Sequence, residues 1–303
     1  MKLVQKCPQS RAPSFTLARK ELIAMYSQPS DPFFALVQQA RDGRDVPLDQ
    51  GALLIASQAY PNLDIDHYLH KLDSLGEDFR TRYAPSPVLA TELTNLSRYL
   101  FTDLEFRGNQ DQYDDPRNSY LNEVLDRRLG IPITLSVVYL ELGRRLHFSL
   151  AGVNFPYHFL VRSTELAEPL FVDPFANGAF VDNNELGERL PVIEGRKLEL
   201  AADYLAPTSP LDILARMLRN LKRQHVQARQ FPAAVHCAIR ISWLQPAEAE
   251  NYRDLGFLYY WIREYGKAVD AFNAYLRWAD TPPDAKEIQQ NIQVISDRLS
   301  MLN

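Results

Sequence analysis

The sequence predicts an α+β protein whose core carries an antiparallel sheet, followed by an α-helical repeat array. Three observations lead to this class. Residues 15–105 space their apolar side chains as helices do, strand signals cluster in residues 149–182, and the C-terminal part repeats itself at an offset of 34 residues. Runs of helices followed by a run of short strands are typical of an α+β core with an antiparallel sheet.

The domain boundaries follow the shifts between these patterns. We expect a helical N-terminal part of the core domain in 1–110 and the strand-bearing core in 111–190. A linker with several prolines follows in 191–210, and the repeat array occupies 211–303.

Composition excludes several classes of function. The chain of 303 residues is 46% apolar and 23% charged, as in ordinary globular proteins. Its net charge of −5 disfavours nucleic acid as a partner, because a nucleic-acid surface needs clustered positive charge. We find no apolar run that approaches the ~20 residues of a membrane span, no secretion signal at the start and no cofactor motif. Two cysteines, Cys7 and Cys237, make no disulfide framework, so we expect a cytoplasmic protein without a cofactor.

The N-terminal helices include DQGALLIASQAY (49–60) and DIDHYLHKLDSL (64–75), which carry apolar residues at i, i+3 and i+4. The second of them places His67 and His70 beside two aspartates. Such pairs are common on solvated helices, and no second pair of ligands is evident, so we predict no metal site.

A buried central helix is predicted from DDPRNSYLNEVLDRRLGIPITLSVVYLELGRRL (114–146). A first helix should run from a cap at Asn118 or Ser119 to about Leu129 and end at Gly130. Pro132 then suits the first turn of the central helix. The apolar stripe of that helix consists of Leu135, Val138, Tyr139, Leu142 and Leu146. Its positive N-terminal end would stabilise a thiolate.

Two strands follow, and each carries one residue suited to chemistry. GVNFPYHFLVR (152–162) contains His158, and FVDPFANG (171–178) contains Asp173. A histidine supported by a carboxylate makes up two thirds of a nucleophilic triad.

The C-terminal repeat aligns ARQFPAAV (228–235) with IREYGKAV (262–269). The second copy has large, small and aromatic residues where the tetratricopeptide pattern needs them: Tyr252, Leu255, Gly256, Tyr259, Tyr265, Ala268 and Phe272. We therefore predict tetratricopeptide repeats at about 215–248 and 249–282, closed by a capping helix at 284–300.

The segments DPRNSYLNEVL, GIPITLSVVYLE, GVNFPYHFLVR and FVDPF resemble the transglutaminase-like superfamily of papain-like thiol enzymes. They are most similar to a bacterial family often called SirB-type and labelled a transcriptional regulator, whose members also carry C-terminal tetratricopeptide repeats. The resemblance implies a nucleophilic cysteine at the start of the central helix, a histidine on the next strand and an aspartate on the one after.

This chain departs from that pattern at the nucleophile. The cysteine should fall near Pro132 or Ile133, where the sequence reads Ile131-Pro132-Ile133-Thr134. Four interpretations follow. The site is a catalytically dead scaffold; a hydroxyl of Thr134 or Ser136 replaces the thiol; Cys7 supplies it; or His158 only ties two strands together through Asp173. We favour the first and the last, which are compatible.

Candidate partner-binding residues lie in two places. Asn122 and Tyr157 flank the predicted cleft, although Asn122 is more simply a backbone crosslink. Residues 212–230 carry an excess of basic side chains that we expect to face a groove of the repeats, namely Arg216, Arg219, Lys222 and Arg223. Such a groove would clamp an acidic peptide or a terminal carboxylate. A solvated helix face or ion pairs to the core would explain the same residues.

These observations predict a non-catalytic, cytoplasmic interaction or regulatory protein with a protein or peptide partner. The alternative is an acyl-transfer enzyme, an amidase, protease or transglutaminase, that uses a hydroxyl with His158 and Asp173. The sequence carries no signal for an oligomeric state.

Overall fold

The structure, a computed structural model, describes Tyr26, residues 28–193 and residues 196–302. The chain forms two compact units. Of the described residues, those from 35 to 230 form the core unit, and residues 231–302 with Tyr26 and residues 28–34 form the repeat unit. Among the described residues, no helix is long and apolar enough to cross a membrane.

Helices fill the N-terminal part of the structure. They are α1 (Pro32–Arg41), α2 (Leu48–Ala56), α3 (Ile65–Arg82) and α4 (Leu89–Arg98), which continues into a wider turn at Tyr99–Asp103. Asp64 caps α3, because its side chain accepts a hydrogen bond from the backbone N–H of His67. The described residues contain no cluster of His, Cys, Asp and Glu able to hold a metal ion.

The helix before the central one is shorter than the sequence predicts. A 3₁₀ turn, Pro116–Ser119, precedes α5, which spans Leu121–Arg127 and ends because Arg128 adopts a left-handed conformation with φ of 59°. The next residues pair in parallel as β2 (Leu129–Gly130) with β1 (Arg107–Gly108). This pairing takes Leu129 and Gly130 out of the helix.

The central helix α6 spans Pro132–Arg145, and twelve consecutive residues from Pro132 to Gly143 are buried in it. It packs against α2 and α3 on one side and against the sheet on the other. A helix that is buried all round is a core element. The N-terminal end of this helix, at Pro132 and Ile133, lines a cavity.

The strands of the main sheet are β3 (Leu150–Val153), β4 (Leu160–Ser163), β5 (Phe171–Asp173), β6 (Ala179–Val181) and β9 (Pro207–Thr208). This five-stranded sheet is antiparallel throughout, with strand order β6-β5-β4-β3-β9. Between β6 and β9 lie α7 (Asn183–Arg189) and a hairpin of β7 (Val192–Ile193) and β8 (Arg196–Lys197). The α+β class with an antiparallel sheet is confirmed.

The segment that we expected to be a linker, 191–210, contains the β7–β8 hairpin and the edge strand β9. Gly152 pairs with Thr208 across β3 and β9, so the end of this segment is part of the sheet. The boundary between the core unit and the repeat unit lies after the expected linker, between Gln230 and Phe231.

Helix α8 (Pro210–Gln227) belongs to the core unit, although the sequence pattern assigns it to the first repeat. Its buried face packs on α2 and on the turn before α5. Gln224 accepts a hydrogen bond from Ser119 at 3.2 Å, and His225 shares one with Tyr120 at 3.2 Å. These buried polar contacts fix α8 to the core.

Four helices form the C-terminal part of the repeat unit: α9 (Phe231–Leu244), α10 (Glu250–Trp261), α11 (Tyr265–Trp278) and α12 (Ala285–Leu302). Helices α10 and α11 interlock at Gly256, where a Cβ atom would collide with the buried ring of Phe272. This explains the small residue at that place in the repeat pattern. Trp243 also donates a hydrogen bond to the carbonyl of Tyr26 at 2.9 Å.

Candidate ligand site at the start of the central helix

A cavity of about 410 Å³ lies in the core unit at the N-terminal end of α6. We call residues Ile131, Pro132 and Ile133, which form one wall, the helix head. The other lining residues are Tyr113, Tyr157, His158, Phe159, Arg216, Asn220 and Arg223. The volume falls in the range of roughly 300–1,000 Å³ that is common for small-ligand sites.

His158 and Asp173 are brought together as their positions on neighbouring chain segments predict. His158 precedes β4, Asp173 ends β5, and the two strands pair antiparallel. The distance from Nε2 of His158 to Oδ1 of Asp173 is 2.8 Å. A carboxylate can only accept, so Nε2–H donates, and Nδ1 of a neutral ring is left as an acceptor.

Asp173 is the most tightly held side chain of the site. Only 2% of it is exposed. Besides His158, it accepts hydrogen bonds from Arg189 Nη1 at 2.5 Å and from the backbone N–H groups of Phe175 and Ala176. Burial by itself would raise the pKa of Asp173, but the bonds from His158 and Arg189 outweigh burial and lower it. The carboxyl is therefore ionised and orients the imidazole.

The helix head offers an apolar wall where a thiol enzyme would hold its nucleophile. No cysteine lies among the cavity-lining residues. The one cysteine of the described residues, Cys237, is buried in α9 of the repeat unit. Cys7, which we considered as a distant source of a thiol, lies outside the described residues.

Thr134 has a structural role that occupies its hydroxyl. The side chain is fully buried, and Oγ1 donates to the carbonyl of Asn118 at 2.7 Å while it accepts from the N–H of Ile131 at 3.1 Å. It therefore closes the first turn of α6. Thr134 does not line the cavity.

Ser136 is also fully buried, and its hydroxyl has no hydrogen-bond partner among the described residues. It does not line the cavity either. The only hydrogen bond that the imidazole of His158 makes to a described residue is the one to Asp173. Neither hydroxyl is thus placed to pass its proton to His158.

The predicted partner-binding residues are distributed over three environments. Tyr157 is 80% exposed at the cavity and has a φ of 58°, whereas Asn122 is buried away from the lining with its side-chain oxygen unpaired among the described residues. Arg216 and Arg223 line the cavity. Arg219 and Lys222 lie on α8 outside the lining. We expected the basic residues in a groove of the repeats; they lie on a helix of the core unit instead.

Comparison with known protein families matches residues 66–219 to the family described as the transglutaminase-like superfamily. This span is half of the chain and contains His158, Asp173 and the cavity-lining residues other than Asn220 and Arg223. The chain belongs to the transglutaminase-like superfamily. A second match assigns residues 221–293 to tetratricopeptide repeats. The resemblance on which the sequence prediction rested is confirmed.

Bacterial proteins are similar to this transglutaminase-like protein over most of its length. A UPF0162 protein from Xylella fastidiosa is 39% identical over 239 residues, which cover 78% of this chain and 85% of that protein. A UPF0162 protein from Pseudomonas aeruginosa is 35% identical over 212 residues, which cover 70% and 77%. A crystal structure of menin shows a weak likeness, with a TM-score of 0.37 at 12% identity over 88% of this chain and 75% of that one. Family membership therefore rests on the sequence matches.

Several contributors to the transglutaminase-like site were missed from the sequence, among them Arg189 and Tyr113. Arg189 reaches Asp173 from the short helix α7, and Tyr113 lines the cavity from the loop before the 3₁₀ turn. Neither stands in a periodic pattern. The one signal for Tyr113 is an aromatic residue in a polar loop, GNQDQYDD, and that signal does not specify a cavity.

Replacing Asp173 with asparagine should destabilise the core unit by about 1.5–3 kcal/mol at neutral pH, because charged hydrogen bonds are lost. The pKa of Asp173 is lowered on folding. Its contribution to stability is therefore complete above its unfolded pKa of about 3.9 and is lost as the pH falls through the folded pKa. Urea unfolding at a series of pH values measures it. A difference between wild type and Asp173→Asn that stays constant below about pH 4 would contradict this account.

Proposed function

We propose that this chain is a non-catalytic transglutaminase-like protein that binds a protein partner and acts as a regulatory or interaction module in the cytoplasm. The cavity at the helix head is its ligand site. The repeat unit adds a second contact surface, since tetratricopeptide repeats generally mediate contacts between proteins.

One observation carries the proposal. The place of a nucleophile is taken by the apolar side chains of the helix head, while His158 and Asp173 keep their hydrogen bond at 2.8 Å. A base and its orienting carboxylate without a group to activate cannot form a covalent acyl intermediate. The cavity itself persists, with apolar, aromatic and cationic walls suited to a ligand.

The alternative is acyl transfer by Thr134 or Ser136. The buried position of both hydroxyls argues against it, as does the hydrogen bond from Thr134 to Asn118. Substrate would have to reach side chains that are absent from the cavity wall. No observation in the described residues favours this function over binding.

Site-specific photocrosslinking in cells tests the proposal. A benzophenone amino acid in place of Tyr157, which is exposed at the cavity, should give one predominant protein adduct that mass spectrometry can identify. The matched control carries the same group in place of Val88, an exposed residue of the core unit outside the cavity wall. Absence of an adduct at 157, or the same adducts at both positions, would overturn the proposal.

A further inference from the structure

Arg216 is a cation in the cavity wall without a counterion. Its Nη1 donates to the side-chain oxygen of Asn154 and, at 3.4 Å, to the carbonyl of Phe155. Its guanidinium lies 5.5 Å from the ring centre of Phe159. Among the residues that the structure describes, no carboxylate pairs with Arg216. Its nearest partners are neutral dipoles and an aromatic face.

Some N–H groups of the Arg216 guanidinium donate no hydrogen bond to a described residue. The guanidinium carries five N–H groups, and the described contacts use those of Nη1 only. Nε and Nη2 have no hydrogen-bond partner among the described residues. Burial, with the charge of Arg219 in addition, lowers the pKa of Arg216. Partial burial of a cation whose N–H donors make no hydrogen bond costs free energy of folding, unless an anion accepts those hydrogen bonds.

Helix α8 places two further polar side chains beside Arg216. Asn220 and Arg223 follow it at i+4 and i+7, so all three lie on one helix face, and all three line the cavity. Arg223 pairs with Asp114 at 3.1 Å, and both side chains are about half exposed. An exposed pair of this kind contributes little stability, so a ligand can displace Asp114 at small cost.

The helix head lines the same cavity as these cations and adds an apolar surface to it. Its three residues are apolar, and the N-terminal end of α6 adds a positive potential. The cavity therefore combines a cationic wall for one charged group with an apolar wall for the carbon chain that bears it. Carboxylate is the anion that matches a planar guanidinium in two-point contacts and that a peptide supplies.

We propose that the cavity binds a peptide carboxylate of the partner protein, from an acidic side chain or from the C-terminus, with Arg216 as its principal ligand and the helix head against the neighbouring carbon atoms. This inference rests on the proposed function and specifies the chemistry of its partner. Arg223 contributes at the rim, and Asn220 is a further hydrogen-bond donor.

The test uses the full chain and three fluorescein-labelled peptides. These are hexaglutamate with an amidated C-terminus, hexaglutamine with a free C-terminal carboxylate, and hexaglutamine with an amidated C-terminus. Fluorescence anisotropy should show saturable binding of at least one of the first two and none of the third. Binding by the first identifies a side-chain carboxylate, and binding by the second alone identifies a terminal one.

Substitutions then assign the contact. Arg216→Gln should weaken binding at least about tenfold, which corresponds to about 1.4 kcal/mol. Arg216→Lys should retain part of the affinity, because it keeps the charge and loses the planar fork. Arg98→Gln is the matched control, since Arg98 is exposed in the core unit outside the cavity wall. Circular dichroism verifies that each variant is folded.

Three results would overturn the inference: no saturable binding of either carboxylate peptide, equal binding of the neutral peptide, or unchanged affinity in Arg216→Gln. These failures are distinguishable from failure of the proposed function. If the crosslinked partner at position 157 is still found in the Arg216→Gln background, the partner binds through the cavity as proposed. The carboxylate contact to Arg216 is then excluded.

Discussion

Arg145→Met is expected to lower the free energy of unfolding of the core unit by about 3–5 kcal/mol. Arg145 lies at the end of α6 and forms three ion pairs of 2.7 Å, with Asp49, Asp73 and Glu141. These acids belong to α2, α3 and α6, so one guanidinium joins three helices. The side chains of Asp49 and Glu141 are only 3% and 4% exposed. Without Arg145, two buried carboxylates face each other with one exposed cation to balance them.

The shifts in the pKa values of Asp49 and Glu141 reflect the repulsion between the two carboxylates. Burial and the charge of Asp49 raise the pKa of Glu141. Burial also opposes ionisation of Asp49, yet the hydrogen bond and charge of Arg145 outweigh it and lower the pKa of Asp49. Arg145 is thus the group that keeps Asp49 charged in the folded protein.

Arg144 provides a matched control for Arg145. It pairs with the same two acids, at 3.1 Å to Asp49 and 2.7 Å to Glu141, but its side chain is 58% exposed. Because solvent screens an exposed pair, Arg144→Met should cost less than about 1 kcal/mol. Urea unfolding of the two variants measures both values. Equal losses would show that burial does not determine the strength of this cluster.

Ile133→Cys is expected to create a reactive thiol in a protein that has none at this site. Ile133 and His158 line the same cavity, and Ile133 lies in the first turn of α6. A helix N-terminus and an imidazole each lower the pKa of a thiol, from about 8.5 into the range of roughly 3.5–7.5. Alkylation of position 133 by iodoacetamide at slightly acidic pH should be at least about tenfold faster than that of an ordinary thiol.

The control for this prediction is His158→Ala in the Ile133→Cys background. If the imidazole contributes to the thiolate, the rate read by mass spectrometry at residue 133 should fall and its pH profile should shift upward. A thiol at 133 that reacts no faster than a thiol in an unfolded chain would mean that the helix head does not face His158 in the way that the cavity indicates.

The core of the candidate site could be predicted from the sequence because its signals are local. A histidine before one apolar strand and an aspartate at the end of the next indicate adjacent positions in an antiparallel sheet. The absence of a cysteine from Ile131-Pro132-Ile133-Thr134 is equally plain. The structural role of Thr134 could not be predicted in this way, because Ile131 at the capping position has no side-chain acceptor and its N–H bonds to Thr134 only in the folded chain.

The position of α8 could not be predicted, because periodicity shows that a helix has an apolar face and does not show what covers it. Leu218, Leu221 and His225 fit the tetratricopeptide register and are buried, yet all three belong to the core unit. The consequence is functional. Arg216 and Arg223, which we expected in a groove of the repeats, line the cavity beside His158.

The most direct test of the central claim is the reactivity of the unmodified chain toward active-site probes. Peptide mapping of wild-type protein treated with a vinyl sulfone and with a fluorophosphonate should show no adduct on residues 131–136, while Ile133→Cys should carry one vinyl-sulfone adduct at residue 133. A stoichiometric adduct on Thr134 or Ser136 of the wild-type chain, abolished by His158→Ala with the fold intact, would show that the protein is an acyl-transfer enzyme and contradict the account.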